Sequence, residues 1–202
     1  MRIRRLEDRQ GAHDMTVTGR ADRSGSPLIR RGAVAGAVAP GRAAGHTPAE
    51  TAALLDLLTA ARPRVETVTV GHGRDDASRA AAQAFVRSWE GAGGTVPAIV
   101  DWPEEAASWL RPARRFAAGD PDAWVVAGTA LGWAQMSRRL RHSTGWEPRR
   151  TYGFACLGDV RVVELAGPAT LEGMRGVAAD GSAWRIGRGL ITYYPHPGES
   201  PR

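Results

Sequence analysis

The sequence predicts an α/β fold: a doubly wound, mostly parallel sheet of four or five strands in the order 2-1-3-4-5, with crossover helices on both faces. Three observations carry this. Between about Val65 and Val177, short β-branched stretches alternate with amphipathic helical stretches, the pattern of βαβ units. Each strand runs into a loop bearing Gly or Asp, as at Gly71-His72-Gly73 and Gly128-Thr129. One stretch, Ala123 to Ala127, is apolar throughout, as a strand buried on both faces must be. The right-handed crossover rule then fixes the winding.

The elements follow in order. Thr47-Pro48-Ala49-Glu50 sets an N-cap, a proline in the first turn and a capping-box glutamate before a helix whose Ala53, Leu54, Leu57, Leu58 and Ala61 share one face,. Pro63 closes it. Val65 to Val70 reads as the first strand, broken at Gly71-His72-Gly73. A helix from about Ser78 follows, with Ala82, Phe85, Val86 and Trp89 inward, and Gly91 and Gly93-Gly94 stop it,. Thr95 to Val100 is the second strand, and Asp101-Trp102-Pro103-Glu104 predicts a second capping box, with a helix that Pro112 kinks or splits,. The third strand, Ala123 to Ala127, leads into a helix opened by Gly128-Thr129 with Ala130, Trp133 and Leu140 inward. The fourth strand spans Thr151 to Ala155, a short helix spans Asp159 to Ala166, and a fifth strand is read at Met174 to Val177.

The chain has 202 residues, 43% of them apolar, enough for one sizeable core plus extensions. Three regions are expected: a disordered basic arm over 1–45, an α/β lobe over 46–178 and a Gly/Pro-rich C-terminal tail over 179–202. All 27 basic side chains other than histidine are Arg; nine of them stand against four acids in residues 1–45, and 18 against 17 in the rest. The predicted lobe is therefore almost neutral, which argues against a nucleic-acid-binding domain.

Cys156 is the single cysteine, so no intrachain disulfide forms. No stretch has the roughly 18–20 consecutive apolar residues of a membrane span. The charged opening Met1 to Gln10 lacks an apolar core, so no ordinary signal peptide is read and the default is cytoplasmic. A start at Met15 would place Arg30-Arg31 before a short apolar stretch and make export conceivable,.

The stretch His46 to Val177 resembles the second lobe of type I periplasmic binding proteins, the leucine and branched-chain amino acid receptors of ABC transporters. The residues that carry the resemblance are Arg74-Asp75-Asp76, Ala84-Phe85, Gly91-Ala92-Gly93-Gly94-Thr95-Val96, Pro121 to Gly128, Val163 to Ala169 and Glu172 to Val177. The resemblance implies one lobe of a two-lobed receptor that traps a small polar metabolite or amino acid, its cleft completed by a second lobe or a protein partner. No cofactor and no metal are expected. Matching positions with polar capacity are Asp75, Asp76, Gly128 and Thr129. The sequence departs from the family where Ala77 and Ser78 replace an aromatic and a glycine, and where Phe154, Ala155 and Cys156 replace an acid. These losses point to an incomplete or degenerate solute-binding or sensing lobe.

Two alternatives stay open. One is a non-catalytic protein-interaction module on the same fold. The other is a small hydrolase or transferase using Cys156 and His72, with Asp75 or Asp159 as orienter. No enzyme motif supports the second: Gly71-His72-Gly73 lacks a third fingerprint glycine, no Gly-x-Ser-x-Gly elbow occurs, and the five histidines show no metal-ligand spacing,. Trp89, Trp109 and Trp133 belong to helix core faces. Trp102, Trp146 and Trp184 fall in loops or tail, where they read as anchors for a partner.

Overall fold

The computed structural model describes Ile29 and residues 45–106, 108–167 and 169–195. The arm expected over 1–45 otherwise lies outside the described residues. Helix α1 (Pro48–Thr59) opens with the capping box that the sequence spells: Thr47 Oγ1 accepts the Glu50 N–H at 3.1 Å, and Glu50 Oε2 accepts the Thr47 N–H at 2.8 Å,. Strand β1 (Val68–Gly73) leads into α2 (Asp76–Gly91), capped by Asp75, and β2 (Ile99–Trp102) into α3 (Leu110–Phe116). Strand β3 (Ala123–Ala127) leads into α4 (Ala130–Ser143), capped by Thr129. Strand β4 (Thr151–Gly153), α5 (Val160–Ala166, capped by Asp159) and β5 (Arg175–Val177) complete the parallel part. A hairpin of β6 (Ala183–Gly187) and β7 (Leu190–Tyr194) follows.

Among the described residues the sheet has seven strands in the order β2-β1-β3-β4-β5-β6-β7. The predicted order 2-1-3-4-5 stands for the first five strands, which are parallel. The predicted count of four or five is too low. The segment read as a tail supplies two antiparallel strands, joined in register from Ala183↔Tyr194 to Gly187↔Leu190. Its glycines mark the hairpin turn at Arg188 and Gly189, both at positive φ, and its alternation buries Trp184 and Ile186, a half-buried strand pattern that glycine and proline content masks.

Three further expectations give way to tertiary pairing. Gly71-His72-Gly73 does not break the first strand; it is the second half of β1. Gly71 is needed there because a Cβ would stand 2.5 Å from Phe116 and 2.6 Å from Trp102,. Asp101 and Trp102 open no helix, because pairing with His72 and Gly73 extends β2 through them. Pro112 neither kinks nor splits a helix: it is the third residue of α3, in the first turn, where a missing N–H breaks no helical bond,.

Two cores sandwich the sheet. On one face Leu54 and Leu58 of α1 and Ala81, Phe85 and Trp89 of α2 pack on Val68, Val70, Val125 and Tyr152. On the other, Phe116 of α3, Trp133 and Leu140 of α4 and Val162 of α5 pack on Val100, Trp124 and Val126. Trp102, Trp146 and Trp184 join this second core at 0%, 2% and 1% exposure. The partner-anchor reading of these three is therefore wrong. Trp102 and Trp146 pack edge or tilted against Trp133 at 5.8 and 5.7 Å, and the Trp184 indole donates to the Val177 carbonyl at 2.9 Å.

Candidate ligand site at the switch point

In an open α/β sheet the crossover direction reverses at one pair of neighbouring strands, and the loops beyond their carboxyl ends diverge to leave a crevice. Here that pair is β1 and β3. Helix α2 leaves β1 toward one face, α4 leaves β3 toward the other, and His72 pairs with Ala127 at the end of the ladder. The next rung brings Gly73 beside Gly128: a Cβ on Gly73 would lie 3.7 Å from Gly128 Cα. Two backbones thus meet without side chains between them, under the N-termini of two helices.

The four residues singled out from the sequence all reach this edge, with different roles. Asp75 Oδ1 accepts the Ser78 N–H at 2.8 Å as the α2 cap. Its other oxygen, Oδ2, is buried without a hydrogen-bond partner and would stand 2.8 Å from a Cβ on Gly73. Asp76 is exposed and its carboxylate is taken by Arg79 at 2.7 Å. Thr129 Oγ1 accepts the Gly132 N–H at 3.1 Å as the α4 cap. Gly128 lies 3.5 Å, from its Cβ position, to the Trp102 ring.

Sequence reasoning passed over three residues here. Ser78, read as a loss, is 2% exposed with an Oγ that has no partner. Trp102 Nε1 and Glu104 Oε1 are likewise buried and unpartnered, both against Gly132 at the start of α4. The available signal was their position just after predicted strands β1 and β2, weakened by misplacing the end of β2. Arg74, one residue beyond β1, is tied to Asp101 at 2.5 Å, and that hydrogen bond holds the Asp101 carboxyl below its usual range.

A small pocket of about 10 Å³, room for about one water and open at its mouth, lies beside the crevice between α1 and α2, lined by His46, Glu50, Ser78, Ala81, Phe154 and Cys156 among others. Glu50 is 3% exposed; beyond its capping role its Oε1 accepts the Ala155 N–H at 3.3 Å, joining α1 to the end of β4. Burial pushes the Cys156 thiol up to about 11, and the charges of Glu50 and Asp75 add to the effect, while the Gly128 N–H opposes it. Negative charge therefore surrounds Cys156 although residues 154–156 contain no acid.

The Cys/His alternative finds no geometry. Strand β3 stands between β1, which carries His72, and β4, after which Cys156 follows in a short 3-10 turn. His72 Nδ1 is engaged by the Gly73 carbonyl at 2.6 Å, and a thiol near 11 holds little nucleophilic thiolate at neutral pH,. Asp159 is used as the α5 cap and by Arg161, whose side-chain hydrogen bond lowers its carboxyl. Among the described residues no three His, Cys, Asp or Glu side chains gather as a metal site would require.

No protein-family model matches the sequence, and no curated protein matches it. Solved structures do match. A substrate-binding periplasmic protein from Ralstonia solanacearum superposes with a TM-score of 0.56 at 18% identity, over 67% of this chain and 37% of that one. The fold is that of a periplasmic-binding-protein lobe. A putative branched-chain amino acid ABC transporter protein from Rhodospirillum rubrum gives 0.51 at 24% identity, over 64% and 36%. The branched-chain amino acid transporter substrate binding protein LivJ from Streptococcus pneumoniae, solved with isoleucine, gives 0.54 at 14% identity, over 62% and 35%. The periplasmic-binding-protein-like lobe thus spans little more than a third of each of these chains, and at such identities the likeness establishes fold alone. Among the described residues no helix is long and apolar enough to cross a membrane.

Proposed function

We propose that this chain is a non-catalytic solute-binding or solute-sensing lobe for a small, amino-acid-like metabolite. The observation that carries the reading is the β1–β3 switch point, where Gly73 and Gly128 open the backbone and Asp75 Oδ2 and Ser78 Oγ stand buried without partners. Buried polar atoms are normally satisfied, so an exception at the mouth of a crevice calls for an explanation, and a bound ligand supplies one. Support comes from the fold, shared with proteins named for branched-chain amino acid transport. The lobe supplies one wall of a cleft; a second lobe or a partner chain supplies the other.

Thermal unfolding of the chain against a panel of amino acids and small polar metabolites tests this, with solution mass recorded alongside. A ligand at about 100 times its Kd stabilises by about 2.7 kcal/mol, a shift of several degrees. A flat response to every compound at millimolar concentration would defeat the reading.

One observation favours a second reading, an interaction module. The outer strand β7 carries no charge and no proline, and Leu190, Tyr193 and Tyr194 are 66%, 52% and 48% exposed. Edge strands are ordinarily protected against pairing. A second copy is the occupant that fits: a two-fold axis through Thr192 would set Leu190 against Tyr194, neutral against neutral. Light scattering reads the outcome, since a monomer at high micromolar concentration removes this reading.

A further inference from the structure

We propose that the outer face of α3 and α4 is a docking surface for an anionic phospholipid bilayer. The proposal stands apart from the solute-binding reading, because it concerns a face of the lobe and not the carboxyl edge of its sheet.

The lobe is almost neutral as a sum, but its two helical faces are not. Over one face of the sheet, α1 and α2 carry Glu50, Asp56, Asp76 and Glu90 against Arg79 and Arg87, a surplus of two negative charges. Over the other, α3 carries Arg111, Arg114 and Arg115 and α4 carries Arg138, Arg139 and Arg141, with no acid on either helix. Helix α5 adds Arg161 and Glu164, which cancel, so this face holds a surplus of six positive charges. Helix α3 packs beside α4, and the arginines therefore form one patch. Arg111, Arg114, Arg115 and Arg141 are exposed. Among the described residues these four and Arg139 form no ion pair. Arg139 Nε is buried without a hydrogen-bond partner, a cation carried without compensation. The loop acids Asp120 and Glu147 are taken by Arg150, at 3.0 and 3.7 Å. Helix dipoles favour cations in a last turn, which accounts for Arg115 and Arg141,. They do not account for Arg111, in the first turn of α3, nor for the missing acids.

What the patch lacks names its occupant. The large apolar side chains that are exposed, Ile99, Val160, Leu190, Tyr193 and Tyr194, all lie outside α3 and α4. A protein interface has an apolar core, and single-stranded nucleic acid is held by aromatic stacking; the patch offers neither. Duplex phosphates are gripped by backbone N–H groups and helix N-termini as well as by side chains, whereas Arg115 and Arg141 sit in last turns, where the free backbone groups are carbonyls,. A bilayer needs none of these, because its headgroup layer responds to summed charge within a Debye length. A lobe docked this way turns its negative α1 and α2 face to water and leaves the switch-point edge open at the side.

Co-sedimentation of the full chain with vesicles tests this. Phosphatidylcholine alone is compared with phosphatidylcholine holding about one-third phosphatidylglycerol, in low salt and in about 0.5 M NaCl. Binding is expected to the anionic vesicles only, and is lost in high salt. The triple variant Arg111→Gln, Arg114→Gln, Arg115→Gln should weaken it by about a hundredfold, at about fivefold for each charge. Its unfolding midpoint should not move, because the three side chains are exposed and unpaired and Gln is a comparable helix former. A charge-matched variant of the arm, Arg2→Gln, Arg4→Gln, Arg5→Gln, should weaken binding by less than about tenfold. No binding to anionic vesicles, equal binding to neutral ones, or equal loss in the two triple variants overturns the bilayer face. Duplex DNA, added as a competitor at the same low salt, reads the other polyanion. If it binds more tightly than the vesicles and the α3 variant loses it, the face is a nucleic-acid surface and the proposal fails.

Discussion

The two ends of the sheet treat their polar groups differently. At the amino ends, Asp122 Oδ2 accepts the Glu66 N–H at 3.0 Å, the Thr67 N–H at 2.8 Å and the Thr67 hydroxyl at 2.8 Å, and the Asp122 N–H returns a bond to Thr67 Oγ1 at 3.0 Å. Arg150 donates to the carbonyls of Asp122 and Pro121 and to the Asp120 carboxylate while lying 4.8 Å over the Trp124 ring. At the carboxyl ends, Asp75 Oδ2, Ser78 Oγ, Trp102 Nε1 and Glu104 Oε1 are buried with no partner. The network around Asp122 and Arg150 is closed, whereas these four atoms around the carboxyl ends hold unmet bonding capacity. A closed network at one end and open polar atoms at the other fit the solute-binding reading proposed above, in which a rigid scaffold carries a ligand edge.

The sharpest way to break the comparison is Arg150→Ala, which removes three hydrogen-bond acceptors' donor and the stacked guanidinium at once. It should cost about 2–3 kcal/mol in urea unfolding, with Lys restoring only part because it has no planar fork. Loss below about 0.5 kcal/mol would show that the amino end is not where stability lies. Asp122→Asn comes next, at about 1–2 kcal/mol, since the side chain is largely exposed and its bonds are partly screened.

A pH profile sharpens the same point. The Thr67 backbone N–H, with that of Glu66, holds the Asp122 carboxyl below its ordinary value. Its stabilisation is present above the unfolded pKa of about 3.9 and is lost as pH falls through the lower folded value. Asp122→Asn should flatten that acid limb; an unchanged limb would assign it to Asp101 and Asp159, whose carboxyls are lowered by Arg74 and Arg161.

Ser78→Ala, at the other end, should leave stability within about 0.5 kcal/mol or raise it, because it removes an unsatisfied buried hydroxyl. A loss beyond about 1 kcal/mol would mean that the hydroxyl is structurally engaged after all. Smallest is the effect on chemistry: Cys156, its thiol near 11, should react with iodoacetamide at pH 7.5 far more slowly than an ordinary exposed cysteine. Rapid labelling would reopen a role for the thiol.

Local chemistry fixed much of this fold in advance. The capping box at Thr47 and Glu50, the caps at Thr129 and Asp159 and the doubly apolar stretch Ala123–Ala127 are properties of a few neighbouring residues, and each stands where the sequence puts it. The order of the first five strands is the one read from the sequence, and the handedness of their crossovers, which sets the face each helix takes, is a property of L-residues and not of this chain. The site was legible only in outline. That ligand capacity sits after β1 and β3 follows from the fold class, but Asp76, Ser78 and Thr129 also read as helix caps; Thr129 is one, while the cap of α2 is Asp75 instead of Asp76 or Ser78.

What the sequence alone determined, then, is whatever depends on spacing along the chain: helix starts, the central strand, the winding of the parallel strands. Tertiary structure decided what depends on a distant neighbour. Pairing with β1 drew Asp101 and Trp102 into a strand, the second core claimed Trp102, Trp146 and Trp184, and the edge of β5 turned an unpromising tail into a hairpin. Whether a buried oxygen finds a partner is likewise a matter of three-dimensional packing. Ser78 reads in the sequence as one more small polar residue, and only the surrounding walls make its hydroxyl an open acceptor.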